Sequence, residues 1–187
     1  MSTTTAQTPL LTAEEYFLLP EPPDGSKQEL VRGKVVTMSN PGLRHGEVQL
    51  NVGVAIKLFL KSNPIGRVVV ESGVITDRKP DTVRGPDVSF YSKERLPLDK
   101  EVIGWHDQAP DLCVEVVSPS NSLKQLKAKA KEYLFAGVRL VWIIDPEDRT
   151  VTIITEPLES RTLEAEATLD GGDVLPNFSC KVSDLFT

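Results

Sequence analysis

Apolar positions along the chain change their period several times, and each change marks a predicted element. Thr12 followed by Glu15 has the spacing of a capping box and predicts a short helix that ends before Pro20. Two short apolar runs that meet at Arg32-Gly33 predict a β-hairpin. Apolar residues then recur at helical spacing from His45 to Leu60, so a long amphipathic helix is expected there.

Strands dominate the pattern after this helix. β-Branched and apolar runs predict strands at 67–76, 87–91, 111–117, 138–144 and 150–155. Residues 92–109 carry mixed charge and are expected to form a surface excursion. A polar cap and a closing Gly137 predict a helix from about residue 123 to 136. This order favours an α/β fold in which helices pack on one mixed sheet.

Composition fits a single globular domain. The 187 residues are 40% hydrophobic and 26% charged, which is enough to bury a core without disulfides. Residues 1–8 are rich in Ser and Thr and predict a loose tail, so the domain is expected to span 9–187. Cys113 and Cys180 lie among apolar or small neighbours and are expected to be buried free thiols.

Charge and hydropathy narrow the classes of function. The sequence has no apolar run of about 20 residues and no leader pattern, which predicts a cytoplasmic protein without a membrane contact. A net charge of −6 disfavours a protein that holds nucleic acid mainly by long-range attraction. It does not exclude a nuclease, because a carboxylate-rich metal site itself adds negative charge.

Two carboxylates carry the candidate chemistry. Asp87 opens a strand after Pro86, and Glu115 lies inside an apolar strand, where a buried carboxylate needs a partner. Neighbouring strands would bring both side chains to one rim of the sheet. Mg²⁺ or Mn²⁺ suits such a site, since Mg²⁺ takes oxygen ligands and usually only one or two protein carboxylates.

A lysine beside the acids would position the attacking water or neutralise the phosphate. The helix after Glu115 offers four candidates, which are Lys124, Lys127, Lys129 and Lys131. They are spread around the helix, so that at most one or two can face the sheet.

Several motifs together resemble the PD-(D/E)XK nuclease superfamily and, within it, the Uma2 family of restriction-endonuclease-like proteins. The resemblance covers most of the chain, and its most specific part is the block from Pro110 to Ser120. Further matching segments are Glu29-Leu-Val-Arg-Gly-Lys, Gly85-Pro-Asp87-Val, Lys129-Ala-Lys-Glu-Tyr133, Ala136-Gly-Val138, Val141-Trp142, Ile144-Asp-Pro146 and Leu185-Phe186. The implied fold is a restriction-endonuclease-like mixed β-sheet core flanked by helices.

The resemblance also implies roles for individual residues. Asp87 would be the first acid and Glu115 the second, with Glu29 and His45 as supporting polar residues and Lys129 as the lysine. Two positions depart from the family's pattern. Val117 stands where the superfamily's simplest motif has its lysine, and Gln125 stands where similar sequences often carry an aspartate.

These residues predict a divalent-metal-dependent endonuclease that hydrolyses DNA, working as a homodimer. The alternative is a nuclease-like module of weak or no activity that binds nucleic acid or a protein partner. A third possibility is hydrolysis of another phosphate ester, which the same carboxylates would support.

Each residue also has a structural interpretation. Asp87 can end a strand, His45 and Glu29 can make structural hydrogen bonds, and Lys129 can lie on a solvated helix face. Glu71 is expected either in the same cleft or on the outside of its strand. Among the other candidates, Arg44 is a plausible phosphate contact, Trp142 and Tyr133 are expected in the core, and Lys124, Lys127 and Lys131 form a basic strip.

Overall fold

The computed structural model describes residues 9–119, 121–155 and 158–187. The predicted tail at 1–8 lies outside the described residues. The elements follow one another as α1 (Ala13–Phe17), β1 (Gln28–Val31), β2 (Lys34–Thr37), α2 (Leu43–Ser62), β3 (Gly66–Val70), β4 (Val74–Asp77), β5 (Thr82–Arg84), β6 (Val88–Ser92), β7 (Leu112–Val116), α3 (Leu123–Phe135), β8 (Leu140–Asp145), β9 (Thr150–Thr155), β10 (Glu159–Leu163), β11 (Thr168–Gly171) and β12 (Leu175–Lys181). A 3₁₀ helix, Val182–Phe186, follows β12.

A six-stranded mixed sheet, in the order β10-β9-β8-β7-β6-β3, forms the centre of the fold. Strands β7 and β8 are parallel, because α3 crosses between them, and the other neighbours are antiparallel. All five residues of β7 are buried, as expected for a strand covered on both faces. The predicted α/β class and the mixed sheet flanked by helices are confirmed.

Alternation along β7 divides the core into two layers. Leu112, Val114 and Val116 face the layer that contains α2 and the 3₁₀ helix. Cys113 belongs to the opposite layer, under α3. Glu115 shares that second face, since side chains two residues apart lie on the same side of a strand. The side chain of Glu115 therefore points from the sheet towards α3.

A second, antiparallel sheet has the order β2-β1-β5-β4, and β11 pairs with β12 in a third. The expectation of one sheet is therefore wrong, and so is the single strand predicted for 67–76. Glu71 has a φ of 52°, a left-handed conformation that ends β3 and sends β4 to the second sheet. Strand β5 was also missed, because three residues in a charged loop give too short a pattern.

Local signals for turns and caps are confirmed. Thr12 and Glu15 form the predicted capping box of α1. Arg32 and Gly33 both have positive φ, 50° and 75°, as the tight hairpin between β1 and β2 requires. Gly137 has a φ of 96° directly after α3. Both cysteines are free thiols, Cys113 buried and Cys180 half-buried.

Asp81 ties α1 to the loop between β4 and β5. Its Oδ2 accepts hydrogen bonds from the backbone of Ala13 at 2.8 Å and from Arg78 at 2.9 Å, and its Oδ1 accepts one from Lys79 N at 3.1 Å. These bonds lower the pKa of Asp81, and the bond from the Ala13 amide has the largest effect on it. The ionised carboxylate therefore contributes to stability.

Asp81→Ala is expected to lower the free energy of unfolding by about 2 kcal/mol at neutral pH, because hydrogen bonds to a charged group are lost. A carboxyl whose pKa is lowered by folding stabilises above its unfolded pKa of about 3.9 and loses that contribution as the pH falls through the folded value. The difference between variant and wild type should thus shrink in acid. Urea denaturation at neutral and acid pH measures it, and exposed Asp99→Ala is the control; a pH-independent difference would contradict the charge-based account.

Within the described ranges, no helix is long and apolar enough to cross a membrane.

Candidate active site

Asp87 and Glu115 stand on adjacent strands. Asp87 immediately precedes β6, and its amide continues the pairing with β7 by donating to the Val114 carbonyl at 3.0 Å. Its Oδ2 accepts a hydrogen bond from the Val116 amide at 2.7 Å, which fixes the carboxylate beside the strand that carries Glu115. The predicted placement of both acids on neighbouring strands is confirmed.

Glu115 is buried under α3, and two groups of that helix hold it. The Tyr133 hydroxyl donates to Oε1 at 2.7 Å, and Lys129 Nζ lies 2.8 Å from the same oxygen. Burial raises the pKa of Glu115, with the charge on Asp87 adding to the shift and Lys129 opposing it. No hydrogen bond from the described residues to Oε2 accompanies these contacts, so that oxygen is available to another group.

Lys129 is the lysine of α3 that reaches the acids. Its ammonium bridges Glu115 and Glu29 at 2.8 Å each, and the side chain is only 12% exposed. Burial opposes the charge, but the two carboxylates outweigh it and raise the pKa of Lys129. Its protonated form is therefore the stable one. The other three lysines of the helix, Lys124, Lys127 and Lys131, are exposed.

Glu29 comes from the second sheet, where it is 4% exposed. Besides Lys129, it accepts hydrogen bonds from the Gly85 amide and from Arg84, both at 2.9 Å. Arg84 also makes a two-pronged pair with Glu132 of α3, at 2.7 and 2.9 Å. Burial opposes ionisation of Glu29, but Lys129 and these donors lower its pKa.

Asp87 has two further polar neighbours. His45, near the start of α2, places Nε2 3.2 Å from Oδ2, and Lys27 places Nζ 3.1 Å from Oδ1. Burial alone would raise the pKa of Asp87, but the hydrogen bond from His45 and the charge of Lys27 bring it to about 2. Asp87 is therefore ionised across the physiological pH range.

Lys27 was not among the predicted site residues. Its ammonium also lies 2.8 Å from Glu71 Oε2, and these two carboxylates outweigh burial and raise the pKa of Lys27. Glu71 is held in turn by Gln49, which donates to Glu71 Oε1 at 2.7 Å and to the Asp87 carbonyl at 3.1 Å. One feature of the sequence could have identified Lys27. Lys27 stands two residues before Glu29, and side chains two residues apart lie on the same face of an extended chain.

Several of these side chains line one cavity of about 290 Å³. Its charged members are Lys27, Glu71, Asp87, Glu115 and Lys129. Three carboxylates thus face two ammonium groups, and the lining carries surplus negative charge when His45 is neutral. Surplus negative charge in a cavity favours cations over anions.

The donor atoms fit a hard divalent cation with few protein ligands. Among the residues that the structure describes, Asp87 Oδ1 is contacted by the Lys27 ammonium, and Glu115 Oε2 carries no hydrogen bond. Among the described residues, no group of three or more His, Cys, Asp or Glu side chains could hold a metal ion. Mg²⁺ and its relatives need no such group, because water and substrate phosphate complete their shell.

A sequence profile of the Uma2 family, described as "Putative restriction endonuclease", matches residues 13–183. The chain belongs to the Uma2 family. The match includes all three sheets and every residue of the cavity, so the resemblance drawn from the motifs around Asp87 and Glu115 is confirmed. No significant match was found among curated proteins.

A solved structure shares the fold of this Uma2 chain. It is a protein from Anabaena variabilis ATCC 29413 described as "a putative nuclease belonging to DUF820", with a TM-score of 0.82 and 24% sequence identity. The alignment covers 94% of this chain and 97% of the other. The two proteins therefore share their arrangement of sheets and helices over almost their whole lengths.

The fold of this Uma2 chain brings together all five predicted site residues, which are Glu29, His45, Asp87, Glu115 and Lys129. Gln125, the second departure from the family pattern, completes the capping box of α3 with Ser122 instead. Arg44 donates to the Phe186 carbonyl at 3.0 Å. Trp142 and Tyr133 are buried as expected, although the Tyr133 hydroxyl also belongs to the site.

Proposed function

We propose that this Uma2 protein is a divalent-metal-dependent endonuclease that hydrolyses DNA phosphodiester bonds. One observation carries the proposal. Asp87 and Glu115 meet Lys129 in a single cavity whose lining has more negative than positive charge. The description of the family as restriction endonucleases supports nucleic acid as the substrate. The carboxylate oxygens of Asp87 and Glu115 favour Mg²⁺ or Mn²⁺ as the ion.

Asp87 and Glu115 would hold the ion. When bound, it would lower the pKa of a water molecule and stabilise negative charge that builds on the phosphate. Lys129 is fixed by Glu29 and Glu115 and supplies a permanent positive charge where the attacking water and the phosphate would meet. His45 and the Val116 amide orient Asp87 through its Oδ2.

The proposed reaction is hydrolysis by in-line attack. A water oxygen forms a new bond to phosphorus, and the bond from phosphorus to the departing sugar oxygen breaks. The water loses one proton and the departing oxygen gains one, so the products are a phosphomonoester and a free hydroxyl group.

The alternative of a nuclease-like module without activity depends on where the Lys129 side chain points. Val117, where the superfamily's simplest motif has its lysine, would favour a module without activity if Lys129 pointed away from the acids. Lys129 Nζ instead lies 2.8 Å from Glu115. Lys129 of α3 can thus supply the positive charge that is missing at Val117, after β7.

Purified protein incubated with supercoiled plasmid tests the proposal. We expect nicked and linear products with Mg²⁺ or Mn²⁺ and none with EDTA, because two carboxylates alone cannot activate water sufficiently at neutral pH. Single-stranded RNA in a parallel reaction tests the choice of DNA. An intact plasmid with every divalent ion tried would contradict the proposal. A homodimer is part of it, and light scattering in solution measures the mass.

A further inference from the structure

The two lysines of the cavity are held in very different ways. The Lys129 ammonium is 12% exposed and pairs with two carboxylates that are each 4% exposed. The Lys27 side chain is 23% exposed, and one of its two partners, Glu71, is 43% exposed. Both partners of Lys129 are therefore buried carboxylates, whereas one of the two partners of Lys27 is exposed to solvent.

Movement of Lys27 would leave no buried charge without a partner. If its ammonium left Asp87, that carboxylate would keep the Val116 amide at 2.7 Å and His45 at 3.2 Å. Glu71 would keep Gln49 at 2.7 Å and could be hydrated. Movement of Lys129, in contrast, would take the ammonium from both Glu29 and Glu115 at once, and an unpaired buried charge is costly.

Two backbone positions adjoin the Lys27 side chain. Gly85 lies beside it, and a Cβ at that position would come within 3.2 Å of Lys27 Cε. Glu71, which pairs with the Lys27 ammonium, has a left-handed backbone conformation with a φ of 52°. Backbone strain of this kind persists where surrounding contacts fix it, and it clusters at functional sites.

We propose that Lys27 is a second substrate-contacting lysine. Its ammonium moves away from Glu71 and binds a phosphate oxygen of the nucleic acid. This inference rests on the proposed nuclease function and divides the positive charges between two tasks. Lys129 acts as the fixed charge beside Glu115, and Lys27 is the mobile charge that receives the phosphate. A lysine suits this task because its ammonium is a compact charge on a flexible stem.

Equilibrium binding separates this contact from a merely structural lysine. Full-length protein is titrated into a short fluorescein-labelled duplex over a series of KCl concentrations. The buffer contains Ca²⁺, which takes the same class of oxygen ligands as Mg²⁺. Each phosphate contact contributes about 0.9 to the slope of log affinity against log salt concentration. Lys27→Met is expected to lower the slope by about 0.9 and weaken binding equally for all sequences, and Lys27→Arg to restore the slope.

Lys57→Met is the matched control, because Lys57 is an exposed lysine of α2 outside the cavity and its loss should leave the slope unchanged. Glu71→Gln is the second variant and should tighten binding, since it removes the group that competes with phosphate for Lys27. A wild-type slope for folded Lys27→Met would overturn the inference. If Lys27→Met does not fold, unchanged or weaker binding by Glu71→Gln would do so.

The same titration distinguishes the two proposals. A wild-type protein that neither binds nor cleaves nucleic acid would overturn the nuclease function, and the role of Lys27 with it. A wild-type protein that binds and cleaves, beside a folded Lys27→Met variant with an unchanged slope, would overturn the role of Lys27 alone.

Discussion

Asp87→Asn is expected to reduce the rate of plasmid cleavage by about 10³-fold. The amide keeps the size of the carboxylate and can still accept the hydrogen bond from Val116, but it loses the negative charge that would hold the ion. Metal-ion catalysis supplies several kcal/mol of transition-state stabilisation, and about 4 kcal/mol corresponds to three orders of magnitude in rate. Glu115→Gln should cause a loss of similar size.

Exposed Asp99→Asn is the matched control for Asp87→Asn, since it removes one negative charge outside the cavity. Binding of Mn²⁺, measured by electron paramagnetic resonance, should weaken in Asp87→Asn and Glu115→Gln and stay unchanged in the control. Near-UV circular dichroism checks that each variant keeps its tertiary packing. Undiminished cleavage by both site variants would exclude the proposed pair of ligands.

Lys129→Met is expected to have the largest effect on stability, about 3 kcal/mol. The methionine keeps the length and apolar stem of the side chain, but it leaves Glu29 and Glu115 without their shared ammonium. Removing one partner of a buried ion pair costs about 3 to 5 kcal/mol, and the lower value is expected because Arg84 and Tyr133 still contact the two acids.

The exposed neighbour Lys127→Met is the matched control on the same helix and should change the free energy of unfolding by less than about 0.5 kcal/mol. Urea denaturation at neutral pH measures both. In Lys129→Met the buried acids would favour their protonated forms, so lowering the pH towards about 4 should recover part of the loss. Equal stability of the two variants would show that the ammonium bridge contributes little.

Local chemistry explains which parts of the fold were predictable from the sequence. The capping box of Thr12 and Glu15 and the hairpin at Arg32-Gly33 are determined by neighbouring residues, and both formed as predicted. The break at Glu71 is different. Its left-handed conformation accompanies contacts with Gln49 and Lys27, which are distant in sequence, so a run of β-branched residues concealed it.

The candidate site shows the same division. Glu115 was conspicuous because a carboxylate in a wholly apolar strand needs a partner, and Asp87 followed from the adjacent strand. Lys129 could be selected from four lysines by its family motif, and its position between buried Leu126 and Tyr133 places it at the edge of the packed face. Arg84 escaped detection because its contacts with Glu29 and Glu132 depend on the pairing of β1 and β5.

The six-stranded and the four-stranded sheets bring different charged groups to the site. The large sheet carries Asp87 and Glu115, whereas Lys27 and Glu29 belong to the segment that forms the small sheet. Residues 27–37 form a continuous hairpin of the chain, joined to β5 through the register pair Leu30 and Val83. This hairpin is therefore separate in sequence from the strands that carry the two acids. Under the proposed function, substitutions at Lys27 are expected to change the contact with substrate while the two acids of the large sheet keep their places.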